Sequence, residues 1–564
     1  MPDQVLTLDV GPSQLLSNLM DEIRFEEIVN DSVIWDKKRC SLSPGTRLKA
    51  MVLNILCHGN PLYKVNKFFE KQDVELLFGA GVHANQFNDD ALGRALDYLY
   101  EAVPWKVYTP LALSALKVLE LTLHTLHSDT TSISVYGEYV PDHARTEKPL
   151  SITYGYSKEK RPDLKQIVLG MGVTPERIPI LARMENGNTS DVKWNMDFVH
   201  KLREALQEDD WQNLLYQADS ALVTKENLEE LASQRLDFLS RLPDTFGLSS
   251  ELKNKAWEDD NWQAVGKLAD KKDAASYRYQ AFERRLEGRS YRLLVVHSDQ
   301  LGKLKAKGLA AKVQKEHEQL TKTLTKLCDT VFHCEEDALE AMKAFEKKDK
   351  ASLHEYHLEV ESKEEPLKRN RRGRPRKDEA SPTTTVFRVR LISLKENREK
   401  MDHNLKLAST FILITNRMDR KKLPDVDMLK IYKGQSAAET RFRLLKEPQM
   451  MDAVFVKTPE RIEALGIVYV MALLVYGILE YRIRSKMKNE KNPLILAGNR
   501  KLFEPTGKAL LEQLNDIRII VIRQGAITLR YLPDNIGAQT RRIVNLAGYD
   551  MNIFVSNQRE KMNV

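Results

Sequence analysis

Cysteine is scarce in this sequence, with 4 residues in 564. Because Cys40, Cys57, Cys328 and Cys334 are few and widely scattered, we expect no disulfide framework and a reducing, cytoplasmic setting. His333 lies beside Cys334, but no second Cys/His pair stands at zinc-finger spacing, which favours ordinary helical positions over a zinc site. The first residues contain no basic stretch followed by an apolar core, so the sequence predicts no secretory signal.

Long apolar runs and an excess of one charge are also lacking. One run, 464–479, is free of charged residues, but it is shorter than the roughly 20 residues that cross a bilayer. We therefore expect a helix that is buried on all sides, and no membrane partner. The 87 Lys and Arg residues against 80 Asp and Glu leave a net charge of +7, which by itself does not indicate a polyanionic partner.

At roughly 100 to 200 residues per domain, the length predicts three or more domains. Residues 1–115 have the pattern of short helices, which predicts a helical N-terminal DNA-binding domain. A helix-turn-helix DNA-binding domain and an ordinary helical domain with solvated lysines both fit this pattern. In the first case, basic residues would supply phosphate contacts: Arg47, Lys49, Lys64, Lys67 and Lys71.

From about residue 116 the pattern changes to strands alternating with helices. Three successive strands are followed by a helix, a strand, a helix and a strand, which is the order of an RNase H-like domain. The pattern breaks down after Pro243 and returns near residue 406. We therefore expect an α+β multidomain protein in which an inserted domain interrupts an RNase H-like mixed α/β catalytic core. The predicted boundaries are 116–246 and 406–482 for the core, 247–405 for the insertion and 483–564 for a small C-terminal α+β domain.

The predicted insertion contains a dense basic segment, 368–377 (KRNRRGRPRK), with seven basic residues in ten and no acid. Its Arg-Gly-Arg-Pro core resembles the AT-hook, an extended segment that lies in a narrow A·T minor groove. Arg372, Arg374 and Arg376 would then contact DNA. A solvated basic linker fits the segment equally well.

Three carboxylates stand where an RNase H-like sheet would bring them together. Asp129 is in the first predicted strand, Asp219 ends the fourth, and Glu439 is on the helix after the insertion. Three carboxylates can hold two Mg²⁺ ions, with Mn²⁺ as a substitute, one activating the attacking oxygen and one stabilising the leaving oxygen of a phosphodiester. The sequence therefore predicts these three residues as metal ligands and catalytic residues.

The helix predicted around Glu439 has a polar face. Tyr432, Gln435, Arg443 and Lys446 lie −7, −4, +4 and +7 residues from Glu439, so a single helix would place all five on one side. An aromatic ring, an amide, a metal ligand and two cations are suited to the successive phosphates of one DNA strand. This face predicts DNA contacts on both sides of the cleavage point.

The spacing of these residues resembles the Tyr-Arg-Glu-Lys signature of a group of insertion-sequence DDE transposases. Asp129 in SDTTS and Asp219 in QADSA are similar to the two aspartates of that group. The segment YGYSKEKRPDLKQIVLGM and the insertion before the glutamate helix also resemble parts of this family. The signature arginine is Gln435 here, so Arg441 or Arg443 would supply its phosphate contact.

The resemblance implies a DNA transposase that works as a homodimer on double-stranded DNA. It would cut at the inverted-repeat ends of its element and join the freed 3′-OH to target DNA. An aromatic residue of the insertion, such as Trp257 or Trp262, would stabilise a flipped base if a hairpin forms. Two alternatives stay open: an RNase H-like DNA nuclease without strand transfer, and a non-catalytic DNA-binding protein derived from a transposase.

Overall fold

The fold is that of a computed structural model, which describes residues 3–137, 139, 150–269, 271, 273–349, 353–366, 383–447, 450, 456, 458–525 and 527–556. The chain divides into two compact units, Met1–Arg241 with Thr415–Val564, and Leu242–Ile414. Helices and strands occur in both units. The protein is therefore a mixed α/β multidomain chain.

The first unit begins with a strand, which is followed by a series of helices. The strand β1 (Gln4–Asp9) pairs antiparallel with residues 518–523 near the C-terminus, so the prediction of a purely helical segment over 1–115 is wrong at its start. Ser43 and Asn88 cap two of the helices by accepting hydrogen bonds from backbone N–H groups. The helices are α1 (Ser13–Glu22), α2 (Phe25–Ser32), α3 (Pro44–Cys57), α4 (Val65–Phe69), α5 (Val74–Phe78), α6 (Asp89–Glu101) and α7 (Pro104–Val118).

Two of the predicted phosphate contacts among these helices are buried. The Lys49 side chain is completely buried, and its Nζ lies 2.7 Å from Asp21 Oδ1 and 3.2 Å from Glu26 Oε1. Arg47 is also buried. The prediction that these two residues bind phosphate is therefore wrong, because their side chains lie inside the unit. The exposed members of the predicted set are Lys64, Lys67 and Lys71.

The strands that hold the candidate site come next in the chain. The elements are β2 (Thr125–Val135), β3 (Lys165–Val173), β4 (Pro179–Glu185), α8 (Asp191–Ala205), α9 (Glu208–Asn213), β5 (Leu215–Gln217), α10 (Lys225–Ser233) and β6 (Asp237–Arg241). Five strands pair in the order β4-β3-β2-β5-β6. The first three are antiparallel neighbours, and β5 and β6 run parallel to β2. Gly170 in β3 leaves room for α8, since a Cβ there would lie 2.1 Å from the Trp194 ring.

The second unit has strands of its own and a long hairpin. Its elements are α11 (Gly247–Asp259), β7 (Gln263–Lys267), β8 (Ser276–Leu286), β9 (Arg289–Ser298), α12 (Asp299–Asp329), α13 (Glu335–Lys348), β10 (His354–Pro366), β11 (Thr383–Glu396), α14 (Arg398–Ala408) and β12 (Thr410–Thr415). Strands β12, β9, β8 and β7 are neighbours in that order, and β10 and β11 form a separate antiparallel hairpin. The basic segment 368–377, with Arg372, Arg374 and Arg376, lies outside the described residues.

The remainder of the first unit contains one long apolar helix. The elements are α15 (Asp425–Lys433), α16 (Ser436–Leu445), α17 (Pro459–Met487), β13 (Leu494–Leu496), β14 (Arg500–Leu502), α18 (Gly507–Leu514), β15 (Arg518–Gln524), β16 (Ile527–Tyr531) and α19 (Ala538–Leu546). Within the described residues, α17 is the one helix that is long and apolar enough to cross a membrane, and 89% of its most apolar stretch is buried. It packs against α1, α3, α6, α7 and β4. The expectation that 464–479 forms a helix buried on all sides is confirmed.

Candidate active site

The pairing of two parallel strands brings Asp129 and Asp219 together. In the β2–β5 pair, His127 stands opposite Gln217. Continuing this register by two residues on each strand places Asp129 next to Asp219. Asp219 also caps the short 3₁₀ turn that follows β5, by accepting a hydrogen bond from Ala221 N at 3.1 Å. The two aspartates that the sequence predicts as metal ligands are therefore neighbours.

The carboxyl groups of Asp129 and Asp219 both have raised pKa values. Burial raises the pKa of Asp129 to about 6; the charge of Lys158 lowers this pKa, and the charges of Asp219 and Asp191 raise it. Burial also raises the pKa of Asp219, and the charge of Asp191 adds to that shift. Like charges that lie close together in a partly desolvated place disfavour each other's ionised form. The site therefore concentrates negative charge that a cation would relieve.

Lys158 and Asp191 also belong to this site, although neither is among the residues predicted from the sequence. Lys158 Nζ lies 3.6 Å from Asp129 Oδ1 and 3.4 Å from Asp191 Oδ2. It also donates to the carbonyl and the hydroxyl of Thr130, at 2.9 and 2.7 Å. The same hydroxyl donates to Asp191 Oδ1 at 2.5 Å. Lys158 thus acts as an internal counter-ion that joins β2 to the start of α8.

A cavity of about 240 Å³ lies beside this network. Lys158, Tyr156 and Asp191 line it, and Tyr156 is 89% exposed. Asp191 stands in the first turn of α8, which Ser190 caps by accepting from Lys193 N. The segment YGYSKEKRPDLKQ contains four basic residues, and the sequence alone does not distinguish Lys158 from the other three.

Glu439 is on a helix that packs over β2 and β3. It stands in the first turn of α16 and is exposed. Burial raises the pKa of the nearby Tyr432, Arg241 lowers it, and the charges of Asp219 and Glu439 raise it further. Tyr432 therefore lies close enough to Asp219 and Glu439 for the charges of both carboxylates to raise its pKa. Glu439 lies on the same side of the sheet as the aspartate pair but outside their immediate contact network.

The prediction of a single helix that carries Tyr432, Gln435, Glu439, Arg443 and Lys446 is wrong. Two helices, α15 and α16, meet at Gly434 and Gln435. Across this step the backbone hydrogen bonds span three residues, as from Gln435 N to Tyr432 O, instead of four. A Cβ on Gly434 would lie 3.3 Å from the His127 ring, so the step lies close against β2. The predicted polar face is consequently not one straight row.

Gln435 takes part in a side-chain network. Gln217 Nε2 donates to Gln435 Oε1 at 3.2 Å, and Gln217 Oε1 shares a hydrogen bond with His127 Nδ1. Burial lowers the pKa of His127, which favours the neutral ring. The network ties the start of α16 to β2 and β5. Gln435 therefore positions the helix that carries Glu439, and its contact with DNA stays a prediction.

Arg441 lies on the buried side of α16. Its side chain is 1% exposed, and its Nη2 lies 3.0 Å from Glu480 Oε2 of α17. Its Nε donates to the Arg177 carbonyl at 2.8 Å. The prediction that Arg441 contacts a DNA phosphate is therefore wrong, because the helix turns this residue into the interior. Arg443 is exposed and remains the arginine candidate on this helix.

Lys446 already has a carboxylate partner. Its Nζ lies 2.9 Å from Glu159 Oε1, and Glu159 accepts a second hydrogen bond from the Ser134 hydroxyl at 2.5 Å. These contacts tie the end of α16 to β2 and to the segment that carries Lys158. A DNA phosphate would have to compete with Glu159 for this lysine, so its predicted DNA contact remains untested.

The structure brings together two of the three predicted metal ligands. Among the described residues, no group of three or more His, Cys, Asp or Glu side chains stands close enough together to hold a metal ion. Asp129 and Asp219 offer the oxygen donors that Mg²⁺ prefers, and their raised pKa values fit a site that favours a cation. Glu439 would have to approach this pair to complete the predicted ligand set.

The two tryptophans of the second unit form a local cluster. The ring centroids of Trp257 and Trp262 are 5.1 Å apart, and the guanidinium of Arg278 lies 4.9 and 4.8 Å from them. Trp257 Nε1 also donates to Thr410 Oγ1 at 3.1 Å. The rings thus have partners within their own unit, and a role on a flipped base stays a prediction.

Comparison with known proteins gives two findings. A family model described as a domain of unknown function (DUF4277) matches residues 7–113. A solved structure, the cryo-EM structure of piggyBac transposase in a synaptic complex with hairpin DNA, aligns with 89% of this chain and 79% of that chain, at 10% identity and a TM-score of 0.35. A TM-score this low supports no assignment of fold or function. No curated protein matches the chain.

The raised pKa of Asp129 predicts a pH-dependent cost to stability. A pKa of about 6 in the folded chain means that the stability from this carboxyl is complete below its unfolded pKa, near 4, and is lost as pH rises through 6. Without divalent metal, Asp129→Asn should raise the free energy of unfolding by about 1–3 kcal/mol at pH 7.5. At pH 4.5, which lies between the two pKa values, the gain should be smaller, at most about 1 kcal/mol.

Urea unfolding in EDTA at the two pH values measures this effect. Asp516→Asn, at an exposed position, is the control and should leave stability unchanged at both pH values. An Asp129→Asn chain no more stable than the parent at pH 7.5 would show that Asp129 is not desolvated as described.

Substitutions of the two arginines of α16 should have different effects. Replacing Arg441 should lower stability, and replacing Arg443 should weaken DNA binding. Arg441→Met leaves Glu480 buried with less positive charge, and should lower the free energy of unfolding by about 3 kcal/mol. Arg443→Met removes an exposed cation and should leave stability unchanged while weakening DNA binding. Thermal unfolding and gel-shift titration of both variants provide the check. Unchanged stability in Arg441→Met would contradict the described burial.

Proposed function

We propose that this chain is the DNA transposase of an insertion sequence, which cleaves the ends of its element in a metal-dependent reaction and transfers the resulting 3′-OH to target DNA. The observation that carries the proposal is the placement of Asp129 beside Asp219 by the parallel pairing of β2 and β5, with the helix of Glu439 packed over β2. The geometry supports a carboxylate site at the surface of the sheet, where a long polymer such as DNA has access.

The order of the strands supports an RNase H-like core. Three antiparallel strands are followed by two that run parallel to the first, giving β4-β3-β2-β5-β6. The chain leaves this core after β6 and returns with α15 and α16, so the second unit stands as an insertion between the two aspartates and the glutamate.

In this proposal Asp129, Asp219 and Glu439 hold two Mg²⁺ ions, for which Mn²⁺ substitutes. The ions, when bound, activate the attacking oxygen and stabilise the leaving oxygen of the phosphodiester. The side chains of the protein have separate tasks. Lys158 balances the aspartate charges before metal is present, and the network of Gln435 fixes the start of α16.

The DNA-facing side of α16 is assigned to residues that are at least partly accessible. Arg443 is exposed, Tyr432 is partly buried near Asp219, and Lys446 would exchange Glu159 for a phosphate. A cation beside the scissile phosphate positions it and offsets its charge. We further propose that the partners are double-stranded DNA ends and target DNA, that two copies act as a homodimer, and that the protein works in the cytoplasm.

Removing any one carboxylate should abolish cleavage and preserve DNA binding. Asp129→Ala, Asp219→Ala and Glu439→Ala each delete a metal ligand but no phosphate contact. Nicking of supercoiled DNA in Mg²⁺ should fall at least about 1,000-fold for each variant, while gel-shift affinity stays near that of the parent. Asp516→Ala is the control with an exposed aspartate and should cut normally.

The outcomes separate the competing functions. Joining of a pre-cut 3′-OH end to a plasmid by the parent chain would support a transposase, and cleavage without joining would identify a nuclease. DNA binding without any cleavage by the parent would identify a non-catalytic DNA-binding protein. Cleavage that survives in one alanine variant would remove that residue from the site.

A further inference from the structure

The long helix α12 of the second unit has one buried side. Val313, Leu320 and Leu324 are its buried residues. Leu320 and Leu324 form a small core with Leu358 of β10 and Val389 of β11. The helix thus rests on the β10–β11 hairpin through one side, and its opposite side faces solvent over most of 31 residues.

Five lysines lie along part of the solvent side of α12. At 100° per residue their positions fall within an arc of about 100° that is separate from the three buried residues. All five are exposed, and none of them makes an ion pair with another described residue. We call this set the α12 lysine face: Lys305, Lys312, Lys315, Lys322 and Lys326.

No acidic residue lies within this arc. Glu316 and Glu318, the acids in the middle of α12, fall on either side of it. Glu316 is turned toward the hairpin, where its Oε1 accepts from Leu353 N at 2.8 Å and lies 3.1 Å from His354 Nδ1. Glu318 lies three residues from Lys315 and four from Lys322, but its Oε1 accepts from Gln314 Nε2 at 2.8 Å. The described residues therefore contain no ion-pair partner that holds these lysine side chains.

The length of the lysine face suits a nucleic acid duplex. At 1.5 Å per residue, the distance from Lys305 to Lys326 along the helix is about 31 Å. Duplex DNA carries about one phosphate per 1.7 Å of axis over that length. Leu304 is the one exposed large apolar side chain among the described residues of α12, so the face lacks the apolar residues with which a helix would insert into a membrane surface.

We propose that the α12 lysine face binds the phosphate backbone of double-stranded DNA without reading its sequence. The inference rests on the proposed function, because it assumes that DNA is the substrate, and it assigns a DNA contact to the second unit. Lysine contacts to phosphate hold and orient a duplex but carry no base information. Such a face would retain the element end or the target during the reaction.

The test compares two variants with the same change of charge. One replaces the five lysines of the α12 lysine face with glutamine, which keeps helix propensity. The matched control replaces five other exposed lysines of the same unit with glutamine: Lys303, Lys307, Lys343, Lys347 and Lys348. Circular dichroism verifies that both variants fold like the parent.

Fluorescence anisotropy measures the affinity of each variant for a 30-base-pair duplex of arbitrary sequence. The titrations are made in EDTA over a range of salt concentrations. The lysine-face variant should bind at least about tenfold more weakly at 0.1 M salt, and its slope of log K against log salt should be shallower by about 3 to 4. The control should stay within about twofold of the parent. Scrambling the duplex sequence should change none of these values.

Several outcomes would overturn the proposal. These are equal weakening in both variants, no weakening in the lysine-face variant, no duplex binding by the parent, or lysine-dependent binding of anionic lipid vesicles in place of DNA. Failure of the proposed catalytic function has a different signature. In that case the lysine-face variant still loses DNA affinity relative to its control, but the parent chain does not cut DNA in Mg²⁺.

Discussion

The arrangement of the first unit depends on a buried carboxylate, Glu480, near the end of the apolar helix α17. Its side chain is 4% exposed and pairs with Arg441 of α16 and Arg484 of α17, each at 3.0 Å. It also accepts from Gly507 N at the start of α18, at 3.3 Å. A buried charge is tolerated only when it is paired and hydrogen-bonded. Arg441 and the Gly507 N–H therefore fix α16 and α18 against α17.

This anchor determines which residues of α16 are available for function. Because Arg441 must face Glu480, Glu439 and Arg443 face away from α17 and are exposed. The other end of the helix is tied to β2 and β5 through Gln435 and Gln217. A rigid, doubly anchored helix thus holds an accessible carboxylate over strands where Asp129 and Asp219 repel each other. Clustered like charges lower stability, and their presence in an otherwise well-paired unit is typical of functional sites.

The sequence predicts the local and periodic features well. The parallel pairing that makes Asp129 and Asp219 neighbours follows from the order of strands and helices, and the buried helix over 464–479 follows from its lack of charge. Lys158 and Asp191 were missed because their proximity arises from tertiary packing of a loop and a helix start, for which sequence spacing gives no rule. Arg441 was misplaced because a basic residue beside a polar face reads as exposed, while the buried Glu480 that attracts it lies far along the chain. The catalytic roles themselves remain predictions.

The most direct test of the account is the position of the metal in a complex with DNA. Crystals of the chain with a DNA end, soaked in Mn²⁺, would locate the ion by its anomalous scattering. The account predicts Mn²⁺ about 2 Å from carboxylate oxygens of Asp129 and Asp219, with Glu439 drawn toward them and Lys158 displaced from Asp129. Mn²⁺ bound elsewhere in a complex that cuts its DNA, with the Lys158–Asp129 contact intact, would contradict it.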